Sequence, residues 1–203
     1  MEYCRLYPTN PSPREVERIA ELLRDGGVII YPTDTLYAIG CDALNVRAVE
    51  RVCRIKGLDP QKALLSIVCP DFSMLSQYVK VANTHFKLMR RNLPGAFTFI
   101  LPVSSQLPRI YKHRKTVGIR VPHNPITRAI VCALGNPIMS TSIAPHDDEP
   151  EYLTDTGLIQ EHYAHLIDLF VDGGEGGTEP STIIDCSTDE PCITRQGLGL
   201  LIE

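Results

Sequence analysis

The stretch GGVIIYPTDTLYAIGCDA, residues 26 to 43, places a short apolar segment directly before a group of polar side chains. The apolar segment, residues 28 to 31, is typical of a strand buried inside a sheet. The polar group that follows consists of Thr33, Asp34, Thr35 and Tyr37. In open α/β sheets, ligands bind outside the carboxyl ends of strands, so this group is a candidate binding site. An Asx or ST turn explains the same residues equally well, and the stretch alone leaves both interpretations open.

Helical and strand patterns alternate on either side of this stretch. Ser12, Pro13 and Glu15 predict a helix start with a capping box, and Gly26 predicts the end of that helix. Further helices are predicted at residues 45–56, 84–91, 125–134 and 157–165, and further strands at residues 64–69, 97–101, 117–121, 138–142, 166–171, 181–186 and 192–195. Buried strands that alternate with amphipathic helices predict an α/β fold, and the short paired strands favour a mixed open sheet flanked by helices. We expect a single domain over residues 1–203.

Composition excludes several classes of protein. The net charge of −4 rules out a surface built as a whole for polyanions, so any contact with nucleic acid needs a local basic patch. The N-terminal residues MEYCRLYPTN contain no apolar signal segment, and no apolar run approaches the roughly 18 residues that a membrane span requires. The seven cysteines are scattered without a C-x-x-C pair, which is typical of reduced thiols. We therefore expect a cytoplasmic protein with no membrane partner.

Several catalytic motifs are missing from the sequence. There is no P-loop, and the glycine-rich stretch DGGEGGTEP precedes a predicted strand instead of a helix, so it does not match a dinucleotide site. His162 and His165 near Asp168 lack a third ligand with convincing spacing, and a solvated helix face is the stronger interpretation. Cys69 fits a buried thiol better than a nucleophile. We expect no metal site formed by protein ligands alone.

Hydroxyls and cations recur near the ends of several predicted strands. Lys56 and Lys62 flank a loop, where they can hold phosphates or simply stabilise a helix C-terminus. Arg120 lies inside an apolar strand, where a guanidinium needs an anionic partner from the protein or a ligand. The remaining polar positions are Thr98, Ser140, Thr141, Ser142, Ser181, Thr182 and Arg195. No nucleophile–base pair stands out, which favours direct attack between substrates over a covalent enzyme intermediate.

Together these segments resemble the YrdC/YciO-like threonylcarbamoyl-AMP synthase family, most closely its YciO branch. The run YPTDTLYAIGCDA is similar to the family signature, and the segments KG, PGAFTFIL, IRVP, PIMSTS, PSTIID and ITRQG follow in the family order over about residues 12 to 202. The resemblance implies a twisted α/β sheet with a concave, electropositive cavity. It also implies an enzyme that joins L-threonine, bicarbonate and ATP, with Mg²⁺, into threonylcarbamoyl-AMP and releases pyrophosphate. The product would supply a transferase complex that modifies an adenosine in tRNA.

The same resemblance assigns roles to individual residues. Thr33, Thr35 and Tyr37 would shape the threonine pocket, and Thr98 would line it. Lys56, Ser142 and Arg120 would be the catalytic group, with Lys56 on phosphate oxygens and the other two on substrate and nucleotide. The nucleotide would be bound by Lys56, Ser142, Ser181, Thr182 and Arg195. Such cations and hydroxyls suit displacement at phosphorus, where positioning and charge stabilisation carry most of the rate.

Three positions depart from the family pattern. Leu58 stands where the family has arginine, Ala144 where it has asparagine, and Cys69 where histidine is common. One lost hydrogen bond to a charged group costs about 1.5–3 kcal/mol, so the first two changes predict weakened or altered chemistry.

The alternative is a non-catalytic RNA- or ribosome-binding module that uses the same concave surface, with tRNA or double-stranded RNA as partner. A basic cluster would contact its phosphates, though a solvated charged face explains the cluster at least as well. The cluster consists of Lys87, Arg90, Arg91, Arg109, Lys112, His113, Arg114 and Lys115.

Overall fold

A ten-stranded mixed sheet runs through the computed structural model, which describes residues 1–113, 115–143 and 151–202. The strands are β1 (Glu2–Arg5), β2 (Ile29–Tyr31), β3 (Ala38–Asp42), β4 (Ser66–Val68), β5 (Phe97–Pro102), β6 (Thr116–Arg120), β7 (Ile138–Ser142), β8 (Leu169–Asp172), β9 (Thr182–Asp185) and β10 (Cys192–Arg195). Their spatial order is β1-β8-β2-β3-β7-β4-β6-β5-β9-β10. The pairs β1/β8, β2/β8, β4/β6 and β5/β9 are parallel, and the other pairs are antiparallel. The predicted mixed α/β sheet is therefore confirmed.

Helices flank both faces of this sheet. They are α1 (Pro13–Arg24), α2 (Val46–Ile55), α3 (Phe72–Tyr78), α4 (Asn83–Asn92), α5 (Arg109–Lys112), α6 (Pro125–Leu134), α7 (Glu151–Thr154) and α8 (Thr156–Tyr163). Side-chain oxygens of Asn45, Asp71, Asn124 and Asp155 accept hydrogen bonds from backbone N–H groups at the starts of α2, α3, α6 and α8. None of the helices in the described residues is long and apolar enough to cross a bilayer.

The elements that sequence reasoning missed are short or atypical. Strand β1 buries only Cys4. Helix α3 has seven residues, and α5 and α7 have four residues each, too few to show a clear helical period. Strand β3 follows the polar group so closely that its five buried residues read as part of the same loop. The predicted capping box of α1 was wrong: Ser12 makes no side-chain cap bond, and the Glu15 carboxylate accepts from Arg18 Nε at 3.0 Å and not from the helix start.

The two faces of the sheet are covered unequally. One face packs against a large core that includes Ile67, Phe99 and Ile119. On the other face, α1 and α6 pack together over a second core that contains residues of β1, β2 and β8. Farther along that second face, strands β4, β6 and β7 carry Ser66, Gly118 and Ser140 in register with one another. Small side chains, or none, therefore occupy this part of the second face, and a concavity forms there.

Candidate functional site

The concavity on the second face holds a polar cavity of about 190 Å³. It is lined by Thr35, Leu36, Leu64, Ser66, Thr98, Arg120, Ser140, Thr141, Ser142, Pro180, Ser181, Ile183 and Arg195. Drug-sized ligands occupy sites of roughly 300–1,000 Å³, so this space suits a small polar ligand or one end of a larger one. Its lining comes from the 35–36 loop and from β4, β5, β6, β7, β9 and β10, so the cavity spans the sheet face. Lining residues come from the starts of β4 and β5 as well as from the ends of β6 and β7.

Period-two alternation explains how the strands supply this lining. In β6, Val117 and Ile119 are fully buried in the large core, whereas Gly118 and Arg120 point to the cavity side. Gly118 lies under the cavity, where a Cβ atom would come within 2.4 Å of the Ser66 hydroxyl and 3.0 Å of the Thr98 methyl group. Only a residue without a side chain leaves this floor open.

Arg120 is held by the polar group that follows β2. Its Nη2 donates to Asp34 Oδ1 at 2.9 Å and to Thr35 Oγ1 at 2.9 Å. The side chains of Arg120 and Asp34 are only 11% and 12% exposed. The Nε–H group of Arg120 is buried and has no hydrogen-bond partner in the described residues. A buried guanidinium donor without a partner is costly, and an anionic ligand in the cavity would satisfy it.

Arg195 reaches the cavity from the edge of the sheet. A bulge between Ile193 and Arg195 shifts the pairing so that Arg195 lies opposite Ile183, a cavity residue. Its Nε and Nη2 donate to the carbonyl oxygen of Ser181 at 3.1 and 2.8 Å. Burial, and secondarily the charge of Arg120, lower the pKa of Arg195. The two guanidinium groups carry like charges, and an anion between them would relieve their mutual repulsion.

Hydroxyl groups complete the wall between these cations. Thr98 Oγ1 and Ser181 Oγ lie 2.8 Å apart, and both side chains are buried. Ser140 accepts a hydrogen bond of 2.7 Å from Tyr31, whose pKa is raised to about 12 by burial, so that tyrosine stays a donor. Ser142, at the end of β7, is exposed, and its side chain makes no hydrogen bond to the described residues.

The segment after β6 clamps the loop that carries Asp34. The Asn124 side chain donates to the Thr33 carbonyl at 3.2 Å, and Thr127 Oγ1 donates to the Pro32 carbonyl at 2.6 Å. The backbone N–H of His123 donates to Asp34 Oδ2 at 3.2 Å. Sequence reasoning missed these supports, although the pattern Asn124-Pro125 was a visible helix start.

The other predicted site residues lie outside this lining. Thr33 forms the ST turn, accepting from the Thr35 N–H at 3.0 Å and donating to the Leu36 carbonyl at 2.6 Å. Thr182 is fully buried and donates to the Gly199 carbonyl at 2.6 Å. Lys56 ends α2 and its Nζ donates to the Ile143 carbonyl at 3.3 Å, one residue beyond Ser142. These contacts place Thr33, Thr182 and Lys56 around the cavity as supports or neighbours.

Tyr37 is buried and ties the glycine-rich stretch to the site. Its hydroxyl donates to the Gly174 carbonyl at 2.7 Å and accepts from the Gly173 N–H at 2.9 Å. Burial raises the pKa of Tyr37 to about 12. A Cβ atom at Gly176 or Gly177 would strike Tyr37 or the Thr35 carbonyl, so these glycines allow the stretch to pack behind the Thr35 loop.

Alternative chemical sites receive no support from the geometry. Among residues 1–113, 115–143 and 151–202, no group of three or more His, Cys, Asp or Glu side chains is placed to hold a metal ion. Asp168 is bound to Arg51, with two bonds of 2.5 and 3.1 Å, instead of to His162 or His165. Cys69 is fully buried, and burial raises the pKa of its thiol to about 12, so it stays protonated. Leu58 is 38% exposed on the loop after α2, and Ala144 lies outside the described residues.

The chain is similar over nearly its whole length to proteins of known sequence and structure. The chain is 41% identical to YciO of Escherichia coli K12 over 98% of its own length and 96% of that protein. Its structure superposes on the crystal structure of E. coli YciO with a TM-score of 0.90, at 40% identity and with 98% and 97% of the two chains covered. It is also 31% identical to a threonylcarbamoyl-AMP synthase of Halorhodospira halophila, over 87% of this chain and 92% of that one.

A solved structure that contains a ligand is also similar to this chain. P. abyssi Sua5 complexed with L-threonine matches with a TM-score of 0.86 at 27% identity, over 97% of this chain and 58% of that one. The Sua5/YciO/YrdC family profile, described as "Telomere recombination", matches residues 21–197. The family profile covers most of the chain and the YciO relatives cover nearly all of it, so the chain belongs to the Sua5/YciO/YrdC family.

Proposed function

We propose that this protein is an ATP-dependent enzyme that forms threonylcarbamoyl-AMP, or a closely related carbamoyl- or acyl-adenylate, from L-threonine, bicarbonate and ATP. The observation that carries the proposal is the convergence of Arg120 and Arg195 on one hydroxyl-lined cavity, with the Arg120 Nε–H left without a partner. Relatives named threonylcarbamoyl-AMP synthase support it, as does a related protein whose structure was determined with L-threonine.

The proposed reaction has two bond-forming steps. Bicarbonate first loses hydroxide and gives CO₂, and the amine of the amino acid adds to its carbon. The amine loses a proton, which forms water with the hydroxide, and a carbamate results. A carbamate oxygen then attacks the α-phosphorus of ATP, and the bond from that phosphorus to the pyrophosphate oxygen breaks. No protein nucleophile is needed, because the task of the site is to position two anions against each other and to stabilise charge on the phosphoryl oxygens.

Each cavity residue has a role in that scheme. Arg120 donates through its free Nε–H to an anionic oxygen, while Asp34 and Thr35 fix its guanidinium plane. Arg195 and Ser181 bind the nucleotide from the β9–β10 side, and Ser142 contacts substrate and nucleotide from β7. Lys56, with its ammonium next to the backbone that follows Ser142, holds phosphate oxygens at the cavity entrance.

Mg²⁺ fits this site as part of the nucleotide substrate. Such ions keep several waters and bind mainly through substrate phosphates with one or two carboxylates. Asp34, the carboxylate beside the lining residues, is already engaged by Arg120. The ion would therefore enter on the phosphates of ATP, where it would neutralise part of their charge.

The decisive experiment is incubation with ATP, bicarbonate and each amino acid in turn. Pyrophosphate release is followed, and adenylate products are identified by mass spectrometry. We expect a threonine-dependent product that disappears without bicarbonate. Arg120→Gln and Arg195→Gln should each reduce the rate by roughly tenfold or more, as loss of a charged hydrogen bond predicts. Arg47→Gln, a change at an exposed position of α2, is the matched control.

The outcome against the proposal is equally definite. A folded protein that releases no pyrophosphate with any amino acid, and that binds neither ATP nor threonine in calorimetry, does not have this activity. A bicarbonate-independent adenylate would instead identify the acyl-adenylate version.

A further inference from the structure

A second pocket lies beyond the carboxyl ends of the parallel strands β4 and β6. It has a volume of about 300 Å³ and is lined by Pro70, Asp71, Phe72, Phe86, Arg90, Leu93, Pro94, Val121 and Arg128. Strands β4 and β6 are adjacent, and Pro70 and Val121 follow them within two residues. Helix α4 contributes Arg90 and helix α6 contributes Arg128, so helices that belong to the two opposite faces of the sheet meet here.

The pocket is separate from the polar cavity. Arg120 points into that cavity, whereas the next residue, Val121, is buried on the side of the large core together with Ile119. The two sets of lining residues have no member in common. A ligand in the second pocket would therefore contact neither Arg120 nor Arg195 directly.

The walls of this pocket are apolar and aromatic. The rings of Phe72 and Phe86 meet edge to face, with centroids 5.3 Å apart at an interplanar angle of 76°. Phe86 is nevertheless 39% exposed, and it stands beside Leu93 and Pro94. The open face of this aromatic pair is a surface on which a ring-sized apolar group can lose contact with water.

Two cations face the same apolar space without partners. Neither Arg90 nor Arg128 forms a side-chain hydrogen bond or an ion pair with any residue in the described ranges. The one carboxylate in the lining, Asp71, instead accepts from the Met74 N–H at 2.9 Å as the cap of α3. Guanidinium groups bind carboxylate and phosphate oxygens through their planar fork.

From this arrangement we infer that the pocket binds a small organic anion whose body is apolar or aromatic. The ring lies against Phe72 and Phe86, and the anionic group reaches Arg90 and Arg128. Helix-end stabilisation does not explain both arginines. Arg90 lies in the last turn of α4, where a cation is favourable, but Arg128 lies in the first half of α6.

Four probe compounds separate the contribution of the aromatic ring from that of the anionic group. Phenyl phosphate and phenylacetate carry both a ring and an anion, inorganic phosphate carries the anion alone, and benzyl alcohol carries the ring alone. We expect at least one of the two aromatic anions to bind roughly tenfold more tightly than either partial probe. The one that binds better distinguishes phosphate esters from carboxylates as the source.

Binding is measured by titration of backbone amide resonances in the ¹⁵N-labelled protein. The amides of residues 71–72, 86 and 90 should move with one common affinity, whereas those of residues 181 and 195 should not. Arg90→Gln with Arg128→Gln should weaken binding of the aromatic anion by about tenfold or more, and Phe86→Ala should weaken it as well. Arg91→Gln is the matched control, because Arg91 is an exposed neighbour in the same helix turn that is absent from the lining.

Several results would overturn the inference. These are the absence of saturable binding at millimolar concentrations, movement only of the amides around the polar cavity, or equal losses in the Arg91→Gln control and the double variant. If inorganic phosphate bound as tightly as phenyl phosphate, Phe72 and Phe86 would contribute nothing to the affinity, and the inference would fail. A thermal melt of each variant, compared with that of the parent, separates a loss of binding from a loss of structure.

Discussion

Arg120 Nη2 lies 2.9 Å from Asp34 Oδ1, which joins the last residue of β6 to a loop 86 residues earlier in the chain. Removing one partner of such a poorly exposed pair leaves the other charge without compensation. Asp34→Asn should therefore release the Arg120 guanidinium and lower adenylate formation by roughly tenfold or more. The effect should fall mainly on kcat, since Asp34 acts through Arg120. Steady-state kinetics with Asp59→Asn, an exposed carboxylate, as control checks this. An unchanged rate would show that Thr35 alone orients Arg120.

Lys56 is predicted to hold phosphate oxygens of the nucleotide. Lys56→Ala should weaken ATP binding by at least about tenfold, or 1.4 kcal/mol. Calorimetry with Lys80→Ala as control makes the comparison, because Lys80 is an exposed lysine that is absent from the cavity lining. If both variants bind ATP as the parent does, Lys56 serves only the end of α2 and its bond to the Ile143 carbonyl.

Leu58 and Ala144 are predicted to weaken or alter the chemistry. Leu58 is partly exposed on the loop after α2, so an arginine there displaces no core. The double variant Leu58→Arg with Ala144→Asn should fold as the parent does and raise threonine-dependent pyrophosphate release. The gain should exceed the sum of the single changes if both groups hold one substrate. A folded double variant without any gain would point to a different substrate.

Asp172 should make stability dependent on pH. Its burial alone would raise the pKa, but hydrogen bonds from Tyr3, the Gly174 N–H and Arg5 outweigh it and lower the pKa below the ordinary value. A depressed folded-state pKa contributes stability that is present above the unfolded-state pKa and is lost as pH falls through the folded-state pKa. Asp172→Asn should thus cost roughly 1–3 kcal/mol of unfolding free energy near neutral pH. In denaturant titrations this difference should shrink in acid, and a difference independent of pH would contradict it.

RNA binding through the basic cluster is the alternative that remains to be tested. The described members of the cluster are exposed on α4, on α5 and just after α5, and Arg114 lies outside the described residues. If they bind tRNA or double-stranded RNA, affinity should fall steeply between low and moderate salt, because neutralised phosphates release counterions. Filter binding across a salt series measures the slope. No binding at low salt, or a flat slope, argues against this alternative.

Sequence reasoning found the residues that break a local pattern. Arg120 stood out because a charge interrupts an apolar strand, and α6 was predicted over its full length, residues 125–134. The ion pair between Arg120 and Asp34 could not be predicted, because the sequence around Arg120 does not indicate which distant carboxylate packs against it. Ser66 escaped notice for a different reason: one serine at the start of a three-residue strand carries no signal until its neighbours Gly118 and Ser140 are known.

Two further residues show why side-chain type is a poor guide to position. Tyr37 and Thr182 carry groups suited to ligands, yet their hydroxyls are bound to backbone carbonyls of Gly174 and Gly199. Alternation along β9 turns Thr182 away from the cavity and its neighbours Ser181 and Ile183 toward it. Which set of alternating residues faces the cavity depends on how the strand pairs with its neighbours, and the local sequence does not record that pairing.

Strand β10 pairs only with β9 in the described sheet, and all four of its residues are exposed. An exposed edge strand of this kind can detach from its sheet at a small fraction of the free energy that global unfolding requires. Fraying of β10 would carry Arg195 away from Ser181 while β4, β6 and β7 stayed intact. Arg195 thus lies on an exposed edge strand of the sheet, whereas Arg120 lies on β6 in the interior of the sheet. Amide hydrogen exchange would register the contrast as fast exchange in β10 and slow exchange in β6, so one wall of the cavity would open without loosening the other.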